Sequence, residues 1–196
     1  IPLMFRLQLP TDPRWVNIVE KNIEEILTDH AYCEQKAASN AISIVVKFPE
    51  RSDLVKAMLE LAQEELEHFK MVHEKLIARG FTLGRERKDE YVNLLYDFMR
   101  KGGSREHQLL DRLMFAAMIE ARSCERFKVL SENIADPELS SFYNELMISE
   151  ANHYTLFLGF ARQYFGDEET EKRWQDWLNY EGEIIQRFGN KETIHG

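Results

Sequence analysis

Cysteine is almost missing from this sequence: Cys33 and Cys124 are two in 196 residues. They are too few for a disulfide framework, and both fall inside helical patterns rather than at loop staples. Such usage points to a reducing cytoplasm as the location. Glycine and proline are scarce too, nine and five, while 30 % of residues are charged, a balance that disfavours strands and tight turns and suits long solvated helices. No apolar run reaches the ~18 residues needed to span a bilayer, and the first residues lack the basic-then-apolar layout of a secretion signal, so no membrane partner is expected. The chain begins at Ile1 rather than methionine, which leaves room for a short preceding piece. Positive charge is also short. With 25 Lys and Arg against 34 Asp and Glu, the net charge is -9, which by itself argues against a nucleic-acid partner, because phosphate binding normally needs a basic surface. The shortage is uneven. Residues 79–105 carry Arg79, Arg85, Arg87, Lys88, Arg100, Lys101 and Arg105 against four acidic residues, a local excess of +3 in a chain whose remainder carries about -12.

What is present is helical periodicity. Apolar residues recur every three or four positions, and 44 % hydrophobic content is enough to bury one core, so residues 1–196 are expected to form one domain. A first helix is predicted from about Pro13 to Phe48, stopped by Pro49, with Ala38-Ser39-Asn40 as the place for a kink. A second starts with Ser52 as its cap and ends at Gly80, a third runs from Ser104 to about Asn133, and Asp136-Pro137 opens a fourth that Gly166 closes. A fifth carries Trp174, Trp177, Ile184 and Phe188. Only about three residues separate the first helix from the second and the third from the fourth, so each pair must fold back as an antiparallel hairpin. The longer 79–105 connection holds a short helix around Tyr91, Leu94, Leu95 and Phe98. Two hairpins joined by one long crossover give an all-α, ferritin-like four-helix bundle, here with an additional C-terminal helix.

The second helix has an inward stripe of Leu54, Met58, Leu61, Glu65, His68, Val72 and Leu76, and the fourth repeats it with Leu139, Phe142, Leu146, Glu150, His153, Phe157 and Phe160. Each stripe is interrupted by Glu-x-x-His. The first helix places Glu34 among Val19, Ile23, Ile26, His30, Ala37 and Ala41. The third places Glu120 among Leu109, Leu113, Ala116, Cys124 and Phe127. Glu34 precedes Glu65 by 31 residues and Glu120 precedes Glu150 by 30, the mark of an internal duplication. An isolated carboxylate in a core costs several kcal/mol. Four carboxylates neutralise two divalent cations, and residues three apart on a helix offer an oxygen and an imidazole nitrogen to one region. Carboxylate and imidazole suit iron or manganese, and the lack of paired thiolates disfavours structural zinc. The metal ligands are therefore Glu34, Glu65, His68, Glu120, Glu150 and His153, the set of the di-iron and di-manganese carboxylate bundles, in which Glu65 and Glu150 would bridge and Glu34 and Glu120 would be terminal. Glu60, Glu64 and Glu67 fall off the stripe and belong to the surface. Glu125, the rival of Glu120, would spoil the spacing. His30, one turn before Glu34, and His73 are assigned to packing or surface, with support of the ligands from behind as the alternative, and His107 and His195 carry no signal.

The stretches LAQEELEHFKMVHEKLIARG and AAMIEARSCERFKVLSENIADPELSSFYNELMISEANHY, with the basic crossover between them, resemble the bacterial tRNA hydroxylases that act on 2-methylthio-isopentenyladenosine. The resemblance covers nearly the whole chain, and all six ligands of that family fall on residues present here. It implies two iron ions, dioxygen as co-substrate, an electron-donating reductase system and a tRNA substrate hydroxylated on its isopentenyl group. Phe115, Phe157 and Phe160 would be available to line a dry pocket, although aromatics at helical spacing are more often core packing. Arg85, Arg87, Lys88, Lys101 and Arg105 would be the bases that meet tRNA phosphates, the alternative being the ordinary charge of a solvated loop. The same ligands also serve quinone hydroxylases, rubrerythrin-like peroxidases and iron-storage shells, and the oligomeric state is left open.

Overall fold

A computed structural model describes residues 4–188 and 194, the side chain of Phe188 excepted. That side chain and His195 lie outside the described residues. Helices α1 (Trp15–Glu20), α2 (Ile23–Lys47), α3 (Ser52–Ala78), α4 (Glu90–Phe98), α5 (Arg105–Asn133) and α6 (Pro137–Phe188) follow a single turn at Met4–Arg6, with no strand among the described residues. The chain divides into two compact units. Among the described residues, one holds 21–88 with 194, and the other holds 4–20 and 89–188.

The first unit is the α2–α3 hairpin. All seven residues of the stripe expected on α3 are buried. On α2 the stripe holds through Ile26, His30, Glu34 and Ala41, with Ala38 rather than Ala37 buried. Ser52 is the first helical residue rather than a cap, and no side chain caps α3. Its other end is tied off as expected. Gly80, at φ 75°, lets its own amide reach Ile77 O and the Phe81 amide reach Leu76 O, both at 3.0 Å, the paired bonds of a Schellman motif. The crossover then runs along α2: Tyr32 donates to Gly84 O at 2.9 Å and Lys36 pairs with Glu86 at 2.9 Å.

The expected first helix is broken, but at Lys21-Asn22 and not at 38–40, where α2 is continuous. The chain changes units at this point. Trp15, Val16 and Val19 of α1 are buried, the Arg126 guanidinium lies 4.3 Å above the Trp15 ring, and Glu20 accepts from the Ala135 amide at 2.7 Å. Asn22, at φ -138°, then leaves helical geometry.

The second unit is built on the α5–α6 hairpin. Ser104 accepts from the His107 amide at 3.2 Å, and Asp136 accepts from Glu138 and Leu139 at 2.9 and 3.1 Å, so both long helices start on side-chain caps. Gly166, at φ 79° and ψ 168°, divides α6 into arms 137–165 and 167–188. The second arm buries Trp174 and Trp177, and Arg173 sits 4.8 Å from the Phe98 ring of α4. Helix α5 is consequently buried on nearly every side, not along one stripe: Leu110, Asp111, Met114, Met118, Arg122 and Arg126 are enclosed as well. A helix covered all round needs either apolar residues or paired charges on its far side. Asp111 accepts from Arg100 and Arg173, while Arg122 donates to Glu181 at 2.7 Å, to Glu125 at 3.0 Å and to Leu9 O at 3.0 Å.

Candidate metal centre

In the first unit, α2 supplies Glu34 and α3 supplies Glu65 and His68. Their exposures are 4, 0 and 7 %. Each offers a ligand atom, and these atoms lie within 4.8 Å of one another. His68 Nδ1 is 3.2 Å from Glu65 Oε2 and 3.9 Å from Glu34 Oε2. In the second unit, α5 supplies Glu120 and α6 supplies Glu150 and His153, again all buried and with ligand atoms within 4.8 Å. His153 Nδ1 is 3.8 Å from Glu120 Oε2 and 3.9 Å from Glu150 Oε2. Both histidines thus turn the same ring nitrogen toward two carboxylates. Sequence spacing accounts for the glutamate on the same helix, since a residue and the one three before it project from one face; the second carboxylate comes from the neighbouring helix of the hairpin.

Two carboxylates and one imidazole per unit, withdrawn from water and a few ångströms apart, form the donor set of a divalent metal. Without a cation, the like charges of each pair repel at short range in a medium that screens them poorly. These buried Glu and His clusters are a metal site by the chemistry of their donors. The set fits iron or manganese; no sulfur donor lies among these ligands.

His30 belongs with the first cluster, contrary to its assignment to packing or surface. It is fully buried, and its Nε2 lies 2.5 Å from Glu34 Oε1. A histidine bonded to the second oxygen of a ligand carboxylate fixes the direction of the first. The signal was available in sequence: His30 is one turn before Glu34 on the same stripe. In the second unit Ser149 Oγ lies 3.4 Å from His153 Nε2.

The other residues singled out from sequence fall elsewhere. Glu60, Glu64 and Glu67 are exposed. Glu125 accepts from the Thr11 amide at 2.9 Å and hydroxyl at 2.6 Å as well as from Arg122, so it anchors the N-terminal segment. Cys33 and Cys124 are free thiols. Cys124 donates to Met147 O at 3.1 Å, and burial, with the charges of Glu120 and Glu125, pushes its pKa up to about 12, which leaves it an inert filler. Phe115 packs edge-on against Tyr96 and Trp177, at ring distances of 6.0 and 6.4 Å, on the side of α5 covered by the second arm of α6. Phe157 is buried and Phe160 partly so. Arg85, Arg87, Lys88, Lys101 and Arg105 are all exposed, and Lys101 pairs with Asp97 at 2.9 Å.

Comparison with known proteins adds a common theme. The model of the family described as tRNA-(MS[2]IO[6]A)-hydroxylase (MiaE) matches residues 2–196. A tRNA 2-(methylsulfanyl)-N(6)-isopentenyladenosine(37) hydroxylase of Pseudomonas putida is 40 % identical, over 96 % of this chain and 91 % of its own length. The protein of the same description from Salmonella typhimurium is 29 % identical, over 87 % of this chain and 84 % of its own. Among solved structures, a Synechococcus protein described as having aldehyde deformylating oxygenase activity superposes with a TM-score of 0.90 at 33 % identity, covering 97 % of this chain and 95 % of that one. The all-α, ferritin-like layout of two hairpins and a crossover is therefore shared along almost the whole chain.

Proposed function

Because this chain belongs to the tRNA-(MS[2]IO[6]A)-hydroxylase family, we propose that it hydroxylates the isopentenyl group of 2-methylthio-isopentenyladenosine in tRNA. The observation that carries the chemistry is the repeated buried triad of two glutamates and one histidine, once in each hairpin. In this reading the two triads work as one functional domain. Glu34, Glu65 and His68 with Glu120, Glu150 and His153 would hold two iron ions, with Glu65 and Glu150 as the carboxylates both ions would share and Glu34 and Glu120 as terminal ones, by analogy with the di-iron carboxylate bundles. Iron bound there would supply the oxidising power that no side chain can provide, for a reaction in which one atom of dioxygen is inserted into an allylic carbon–hydrogen bond and the other, with two electrons from a reductase system and two protons, leaves as water.

The residues of the chain do the rest. The four carboxylates neutralise the charge they bind, and the imidazoles complete the coordination without adding charge. His30 holds the Glu34 carboxylate in one orientation, and burial keeps bulk water from the ligands. The exposed bases Arg85, Arg87 and Lys88 at the start of the crossover meet tRNA phosphates, which position the substrate without reading its bases. A tRNA substrate and free thiols suit the cytoplasm, and among the described residues no helix is long and apolar enough to cross a membrane.

The Synechococcus relative favours a second reading, an oxygenase acting on aldehydes. One experiment separates the two. Iron-loaded, reduced protein is given dioxygen with either tRNA from cells lacking the hydroxylase or a long-chain aldehyde. The first reading expects the hydroxylated nucleoside in the tRNA digest and no turnover of the aldehyde. Shortened hydrocarbon and formate, with an unchanged nucleoside, would replace it by the second.

A further inference from the structure

Between the end of α4 and the first turns of α5, the second unit has a recess of about 400 Å³ lined by Tyr96, Met99, Arg100, Lys101, Gln108 and Arg112. Three of its six lining residues are cations, and each is held differently. Arg100 is fixed: its backbone amide donates to Asp111 at 2.7 Å and its guanidinium donates to both Asp111 oxygens at 3.1 and 3.0 Å. Asp111 also receives Arg173 at 2.7 and 2.9 Å, and Arg173 reaches Asp176 at 3.3 Å as well, so Arg100 is held in place by a carboxylate that it shares. Lys101 pairs with Asp97 where both side chains are about two-thirds exposed, 66 and 64 %, an arrangement worth little and easily exchanged for a better anion. Arg112 is partly buried and has no ion pair or hydrogen bond among the described residues. Withdrawing a guanidinium from water without a counter-anion is unfavourable, so a ligand that brings the anion is favoured there. Gln108 lies one helical turn before Arg112 on the same face and adds an amide donor. Tyr96, 48 % exposed and braced edge-on by Phe115, forms the apolar wall.

We propose that this recess seats a backbone phosphate of the RNA substrate, with Arg112 as its principal ligand and Arg100, Lys101 and Gln108 around it. Planar, fork-shaped guanidinium donors match phosphate oxygens, and most protein contacts to nucleic-acid backbones come from such Arg, Lys and Gln side chains. In an acidic chain a built recess, rather than a general basic surface, confines the RNA to one register. This rests on the tRNA reading above, and it adds residues outside the run of exposed bases at 85–88.

The test is binding of labelled tRNA, followed by fluorescence anisotropy across a salt series, to wild type and to Arg112→Gln, Arg112→Glu and Arg112→Lys. Melting curves verify that each variant is folded. Arg112→Gln is expected to weaken binding about tenfold at low salt and to reduce the slope of log K against log salt by about 0.9. Arg112→Glu should be worse, and Arg112→Lys should restore most of the loss. The KM for tRNA should rise with the loss of binding while kcat stays unchanged. Wild-type affinity and slope in folded Arg112→Gln and Arg112→Glu, in a protein that still hydroxylates tRNA, would overturn the phosphate seat and leave the function standing. Binding that depends on Arg112 without any hydroxylation would support the seat and remove the function. Absence of tRNA binding by wild type would overturn both. If inorganic phosphate binds through Arg112 while tRNA binding ignores it, the recess is a small-anion site and its assignment to RNA is wrong.

Discussion

His30 and Asp111 show how a single side chain serves a cluster it does not itself define. His30 bonds to the oxygen of Glu34 that turns away from His68. His30→Ala should therefore leave the fold intact and weaken metal retention by roughly 10- to 100-fold, the usual cost of losing a partner behind a ligand. Dialysis against a graded chelator, with metal analysis of the protein, measures it. Asp111 is the corresponding case for stability. Burial by itself raises its carboxyl pKa, but hydrogen bonds from Arg173 and Arg100 outweigh burial and hold it below the ordinary 3.8. A carboxyl depressed in the folded state stabilises above its unfolded value, and that contribution is lost as pH falls below about 4 through the folded value. Asp111→Asn should cost on the order of 3 kcal/mol at neutral pH, because two arginines lose their shared counter-charge. Urea midpoints should show the difference between wild type and variant shrinking below pH 4. A constant difference across that range would mean that Asp111 does not act through its charge.

At the scale of elements, sequence periodicity was most informative where one helix face meets one neighbour. The α3 stripe was legible residue for residue, and so were the Ser104, Asp136, Gly80 and Gly166 ends, because caps and left-handed glycines are local chemistry. The break at Lys21-Asn22 was not legible. Nothing local distinguishes it from Ala38-Ser39-Asn40, and it is set by which unit α1 packs into. The far side of α5 was missed because the partners of Asp111 and Arg122 come from remote segments, Arg173, Glu181 and the carbonyl of Leu9. The basic crossover was legible as charge but not as availability. Arg100 is committed to Asp111, whereas Arg85 and Lys88 stand exposed. Replacing Arg85, Arg87 and Lys88 together with alanine should lower tRNA affinity and flatten its salt dependence while metal content is unchanged. Filter binding at several salt concentrations provides the comparison, and an unaltered salt slope would exclude these three bases from the RNA path.

For the whole molecule, the duplicated spacing of Glu34 to Glu65 and Glu120 to Glu150 was the feature of sequence that pointed beyond a helical scaffold. Two triads of buried acids and imidazoles make the metal part of the fold. Stripping it should lower the melting temperature by many degrees at neutral pH, since each cluster then keeps two like charges with no cation between them. Scanning calorimetry of apo and loaded protein at neutral pH measures the difference. Equal melting temperatures at neutral pH would show that the clusters hold no ion.

The proposal that six residues from two hairpins jointly hold a pair of metal ions is tested most directly by metal stoichiometry. Protein purified from iron-supplied cells should carry about two irons per chain, and both Glu65→Ala and Glu150→Ala should lose both ions together while remaining folded, because a shared carboxylate serves each metal. A wild type that carries no metal, or a folded variant that keeps its full complement, would contradict the account.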